Sequence, residues 1–95
     1  MNTKTFAITV SIYDAETQIW LTRHTTRITC RCSERAKIIA KEQAKHKVLE
    51  GYAKAQWERI YGITASQFDA LYLANEIDPL KHFVFTVTKF SDVTP

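Results

Sequence analysis

The chain has 95 residues, enough for one domain around one hydrophobic core. With 45% hydrophobic and 24% charged residues it does not have the composition of a disordered chain, and 2 glycines and 2 prolines argue for long regular elements with few loops. A formal net charge of +3 and a pI near 9.0 permit an acidic protein, a nucleic acid or an anionic surface as partner, and select none of them.

The charge is unevenly spread. Residues 23–59 hold ten of the thirteen Lys and Arg but only four acids, Glu34, Glu42, Glu50 and Glu58, so this middle segment carries +6 and the two ends together −3. The opening segment MNTKTFAITVSIYDAE has no signal-peptide layout, because Thr and Ser interrupt its apolar runs. No stretch reaches the length of a membrane span. The expectation is a soluble, cytoplasmic protein without a membrane partner. Cys30 and Cys32 stand one residue apart, a poor spacing for an unstrained disulfide, so reduced thiols are expected.

In chain order, Phe6, Ile8, Val10 and Ile12 alternate with Ala7, Thr9, Ser11 and Tyr13, which predicts a strand with its apolar side on a core. Asp14–Thr17 is a polar connector of hairpin length. A second strand is predicted over 18–31, rich in Thr, Ile and Trp. Its phase changes between Ile19 and Leu21 on one side and Ile28, Cys30 and Cys32 on the other, which predicts a bulge or break near Arg23–Thr25.

A long helix is predicted from an N-cap at Ser33 to Gly62, with Gly51 as the place for a bend. On its wheel Ile38, Ile39, Leu49, Ala53, Trp57 and Ile60 gather on one face, expected to lie across the sheet. Ala36, Ala40, Ala44, Gly51 and Ala55 form a small-residue stripe, read as alanine's helix preference or as a seat for the second helix. Thr64 and Gln67 make a capping box, with Ile63 and Phe68 as its staple, opening a helix over 65–74 that buries Phe68, Leu71 and Tyr72. A last strand is predicted over 82–90, followed by a frayed tail.

The fold class expected is α+β: a single domain, residues 1–95, forming a two-layer sandwich of topology β-β-α-α-β. Its three-stranded sheet has order 2-1-3 and is covered on one face by a long and a short helix. The third strand is expected to run parallel to the first, two antiparallel helices carrying the chain back to its starting end.

Two basic rows are the candidate partner-binding residues. Lys37, Lys41 and Lys45 recur every fourth residue, one stripe of a helix with ammonium groups about 6 Å apart along the axis, and Arg59 lies further along. Such a ladder meets successive phosphates or carboxylates; its plainer reading is a solvated flank whose lysine stems shield the core. Glu42 is placed to pair with Lys45 or His46. Arg23, Arg27 and Arg31 alternate with Thr25 and Thr29 along one side of the second strand, if no bulge intervenes. Thr5, Thr9, Ser11, Thr86 and Thr88 extend that side across the sheet. This is an ordinary solvent face, or a platform gripping phosphates, with only Tyr13 and Trp20 for stacking. The two rows are expected on opposite sides of the sheet.

Cys30 and Cys32 with His24, His46 and His82 have the residue types of a zinc site at the wrong spacing, so no metal and no cofactor are expected. No nucleophile elbow, glycine-rich phosphate loop, HExxH or paired-carboxylate motif is present, and the chain is read as non-enzymatic. In size, loop economy and charge asymmetry it resembles small accessory proteins of phages and mobile elements, anti-CRISPR inhibitors among them. That resemblance implies a protein that occupies a surface of a larger nucleoprotein machine; it covers no alignable motif and assigns no residue. The expected function is therefore a binding protein that docks on a protein or nucleoprotein complex through a basic surface. The alternatives are a low-specificity nucleic-acid binder that grips the backbone, and a structural homodimer, rather than a monomer, joined through a sheet edge.

Overall fold

A computed structural model describes residues 2–95, the side chains of Tyr52 and Ile60 lying outside the described set. Strands β1 (Lys4–Asp14), β2 (Trp20–Cys30) and β3 (Phe83–Asp92) form one sheet of order β2-β1-β3. Between β2 and β3 the chain is helical: α1 (Ser33–Val48), a π-helical turn (Leu49–Ala53), α2 (Lys54–Tyr61) and α3 (Ala65–Leu73). This is the α+β sandwich expected, with order 2-1-3.

β1 is central because its alternation is cleanest. Ile8, Val10 and Ile12 have no exposed surface, and Phe6 is 4% exposed. At its end Asp14 builds the turn: its Oδ1 accepts the Glu16 and Thr17 N–H groups, both at 2.9 Å, and Gln18 takes a φ of 60°. β2 returns antiparallel, with Ile12 opposite Thr22 and Tyr13 opposite Trp20. Leu21 is thus the extra residue of a bulge. The expected break near Arg23–Thr25 is absent, and the phase change sits two residues earlier. Thr22, Thr25 and Thr26 suit either face, so the sequence brackets the shift only between Leu21 and Ile28.

α1 does not begin as expected. The N-cap is Cys32, in extended conformation with no side-chain cap bond, and Ser33 is already helical. Its packing face is also different. Ala36, Ala40, Ala44 and Val48 are wholly buried, whereas Ile38 is 62% exposed and Ile39 only half-buried. Ala36, Ala40 and Ala44 of the small-residue stripe, not Ile38, lie on the sheet, whereas Gly51 and Ala55 are exposed. Small side chains let the helix approach the β1 and β2 side chains, and the wider isoleucines are displaced to the flanks. Of the rest of the expected face, Ala53 and Trp57 are buried, Leu49 is half-buried and Ile60 lies outside the described side chains.

The π turn falls at Gly51, where a bend was expected. Its wider pitch absorbs one residue, so Ala53 continues the line of Val48, and Ala53 and Trp57 extend the buried face. Gly62 ends α2 in the left-handed conformation with φ 65°, its N–H bonded to the Glu58 carbonyl. Thr64 and Gln67 form the full capping box of α3. Phe68 is 2% exposed and Leu71 half-buried, but Tyr72, expected inside, is 43% exposed. Trp57 closes this end of the core against Phe68, with its indole N–H donated to the Pro79 carbonyl at 3.3 Å.

β3 runs antiparallel to β1, not parallel, from Phe83 opposite Asp14 to Asp92 opposite Phe6. The reason is helix length. The rod from Ser33 to Tyr61 climbs roughly 43 Å at 1.5 Å per residue, while the 9-residue α3 returns only about 13 Å. The chain is still at the hairpin end of the sheet when β3 starts. Nor is the tail frayed from residue 91: Ser91 and Asp92 are in β3, Val93 N–H donates to the Thr5 carbonyl at 2.8 Å, and Thr94 Oγ1 accepts the Thr5 N–H at 2.9 Å.

Candidate interaction surface

The sheet separates the two basic rows, as expected. On the open face, Arg23 and Arg27 project from β2 beside Thr25 and Thr29, and Arg31 follows just beyond its end. The hydroxyls of Thr5, Thr9, Ser11, Thr25, Thr29 and Thr88 pair with one another across the strands. Thr5 bonds Thr29 at 2.9 Å, Thr9 bonds Thr25 at 3.3 Å, and Ser11 bonds Thr88 at 2.7 Å. Gripping a phosphate with these groups means breaking such pairs, so the row offers guanidinium contacts more readily than hydroxyl ones. Trp20, 54% exposed, pairs with Tyr13 at the head of the row.

On the helical side, Lys37 and Lys41 flank the buried alanines of α1 on the side facing β3, and Lys45, equally half-buried, does not line the same groove. Two of the three lysines have local acids: Lys37 Nζ lies 3.7 Å from Glu34 and Lys45 Nζ 3.1 Å from Glu42. These exposed i, i+3 pairs contribute about 0–1 kcal/mol and do not lock the lysines. Lys37 also covers the Phe90 ring at 4.7 Å. Arg59 is not brought to the ladder. It stands roughly 20 Å beyond Lys45 along the rod, bonded to Gln56, whose amide reaches Asp14 at 3.3 Å.

α1 lies over β1 and β2 more than over β3. The helix-facing side of β3 is therefore incompletely roofed. Phe85 and Val87 are half-buried and Phe90 is 37% exposed. With Ile38, Lys37 and Lys41 they border an open groove between α1 and β3. Sequence reasoning placed Ile38 in the core and so missed this groove. Alanines at strict four-residue spacing beside the isoleucines were the signal that Ile38 would be turned out.

The polar group at the hairpin end is occupied by structure. Asp14 binds two turn amides and Gln56, and the bonds from Thr17 and then Glu16 hold its carboxyl below the usual aspartate range. Asp92 is lowered in the same direction by its bonds from Thr94. Tyr61 Oη lies 3.4 Å from His82 Nε2. Cys30 and His82 lie toward opposite ends of the sheet, Cys30 opposite Lys4 and His82 beside Phe83. Among the described residues no three His, Cys, Asp or Glu groups converge on a metal position. No helix there is long and apolar enough to cross a membrane.

Comparison with protein-family models, with curated proteins and with solved structures finds no match for this chain.

Proposed function

We propose that this is a non-enzymatic binding protein that docks on a protein or nucleoprotein partner through the basic flank of α1. The observation that supports it is the adjacency of Lys37 and Lys41 to exposed Ile38 and half-buried Phe85 and Val87. Apolar surface rimmed by cations is the composition of a protein interface: the apolar centre sets residence time, and the charge steers an acidic partner and sets the salt dependence. A larger nucleoprotein assembly, as the resemblance to accessory inhibitors implies, offers such acidic surfaces.

The test is affinity capture of the partner with and without nuclease, using three baits. Wild type and an Arg23→Glu, Arg27→Glu variant are expected to capture the same partner; a folded Lys37→Glu, Lys41→Glu, Lys45→Glu variant is expected to lose it. Equal capture by the triple variant moves the interface elsewhere. Exposed Trp20, with half-buried Tyr13 opposite it at the head of the arginine row, supports a second reading, direct low-specificity binding of nucleic acid. That reading requires a generic DNA or RNA probe to shift at low salt and to lose affinity steeply as salt rises.

A further inference from the structure

The two edges of the sheet differ. On the β2 edge, the Lys47 ammonium donates to the outward Arg23 carbonyl at 2.7 Å, and Gln43 bonds His24 at 3.0 Å, so α1 side chains cover that strand. On the other side, among the described residues, no strand pairs with the outer edge of β3. Its backbone direction follows from the register. Val93 N–H donates to Thr5, so the odd-numbered residues of β1 exchange hydrogen bonds with β3. Ser11 is opposite Thr86, whose backbone groups turn inward; those of Phe85 and Val87 turn outward. The Phe83 N–H is taken by the Leu80 carbonyl, and the bulge left by Thr88 interrupts the other end. The receptive stretch is thus short and centred on Phe85–Val87, which line one groove with Lys37, Ile38 and Lys41.

We infer that β3 receives an extended segment of a protein partner as a fourth strand, and that this segment carries two carboxylates at alternate positions facing α1. The inference rests on the basic-docking reading and adds the mode of docking and the chemistry of the occupant. Main-chain bonds to an exposed edge supply affinity, and alternate side chains supply specificity. The spacings agree: Lys37 and Lys41 are about 6 Å apart along the helix, and same-face side chains of a strand recur about every 6.6 Å. An incoming carboxylate displaces Glu34 from Lys37, an exposed contact of 3.7 Å. Charge also argues against a second copy of the chain. A two-fold pairing of β3 with β3 sets the lysine flank of one copy against that of the other.

The probe is a blocked heptapeptide, Thr-Val-Glu-Thr-Glu-Val-Thr, titrated to millimolar concentration into the ¹⁵N-labelled full chain. The expected result is shifts and slowed exchange at the Phe85 and Val87 amides, with affinity at least tenfold weaker for the peptide with both Glu replaced by Lys. Affinity is also expected to fall at least tenfold for the peptide N-methylated at both glutamate nitrogens, which leaves the protein untouched. Equal binding of the N-methylated peptide, lost in Lys37→Glu, Lys41→Glu, overturns the strand mode and leaves the basic-docking reading standing. No binding of any peptide overturns the inference, while partner capture by the three baits judges the basic-docking reading separately. A dimer on a sizing column whose seam maps to β3 overturns it in favour of a second copy.

Discussion

The Lys37 ammonium sits 4.7 Å from the centroid of the Phe90 ring, and Phe90 stacks on Phe6 with centroids 5.1 Å apart. This contact ties the start of α1 to the far part of β3, across the side of the sheet that α1 covers least. Phe90→Ala is expected to lower stability by about 2 kcal/mol, below the ~3–5 kcal/mol of a fully buried phenylalanine because the ring is partly exposed. Lys37→Gln is expected to change it by less than about 1 kcal/mol. Urea unfolding of the two variants checks the order; a larger loss for Lys37→Gln contradicts it.

The buried alanines make a prediction opposite to hydropathy. Ala40→Leu puts a larger side chain where there is no exposed surface and is expected to cost about 1–3 kcal/mol. Ile38→Ala, removing the same apolar bulk from an exposed position, is expected to cost less than about 1 kcal/mol. Thermal melts of both variants decide, and the reverse order would return Ile38 to the core.

The two glycines should respond in opposite directions. A Cβ at Gly51 meets nothing within 4 Å, so Gly51→Ala is expected to stabilise by about 0.5–1 kcal/mol through helix propensity. Gly62 also has open space, but its φ is 65°, and Gly62→Ala is expected to cost about 1 kcal/mol. Denaturant midpoints measure both, and a destabilised Gly51→Ala would show that the π turn itself requires glycine.

Asp14 and Asp92 set an acid dependence. Both carboxyls are held below the ordinary aspartate value of 3.8 by hydrogen bonds from Thr17 and Thr94 respectively. A folded-state value lower than the unfolded one contributes stability that is complete above the unfolded value and is lost as pH falls through the folded one. The loss therefore falls below about pH 4. Asp14→Asn keeps an acceptor for the turn amides but has no proton to gain. It is expected to flatten stability against pH in that range, and an unchanged acid limb would assign the dependence to other groups.

The layers and the strand order were legible because β1 has a clean alternation and because Thr64, Gln67 and Gly62 are local signals whose chemistry acts within one turn. The direction of β3 was not legible by the same means: it depends on a difference in length between two helices, so an error of a few residues in α3 changes the outcome. The face of α1 was misread because hydropathy ranks isoleucine above alanine, whereas packing against a sheet selects for closeness. The bulge at Leu21 was detected as a change of phase but misplaced, since threonine is at home on both faces. Of the candidate site, the lysine spacing and its separation from the arginine row were readable. The groove beside Lys37 and Lys41 was not, because it exists only where α1 fails to cover β3.

The stitching of Thr5 to Val93 and Thr94 joins segments almost a full chain length apart. In kinetic terms, β1 and β2 close locally, but the other edge of β1 waits until residues 83–92 have been synthesised. Until then the most apolar strand of the molecule presents an unpaired edge, the form in which nascent chains aggregate. Rapid docking of β3 is thus a condition for this chain's solubility while it is being made, separate from its part in the stability of the finished fold.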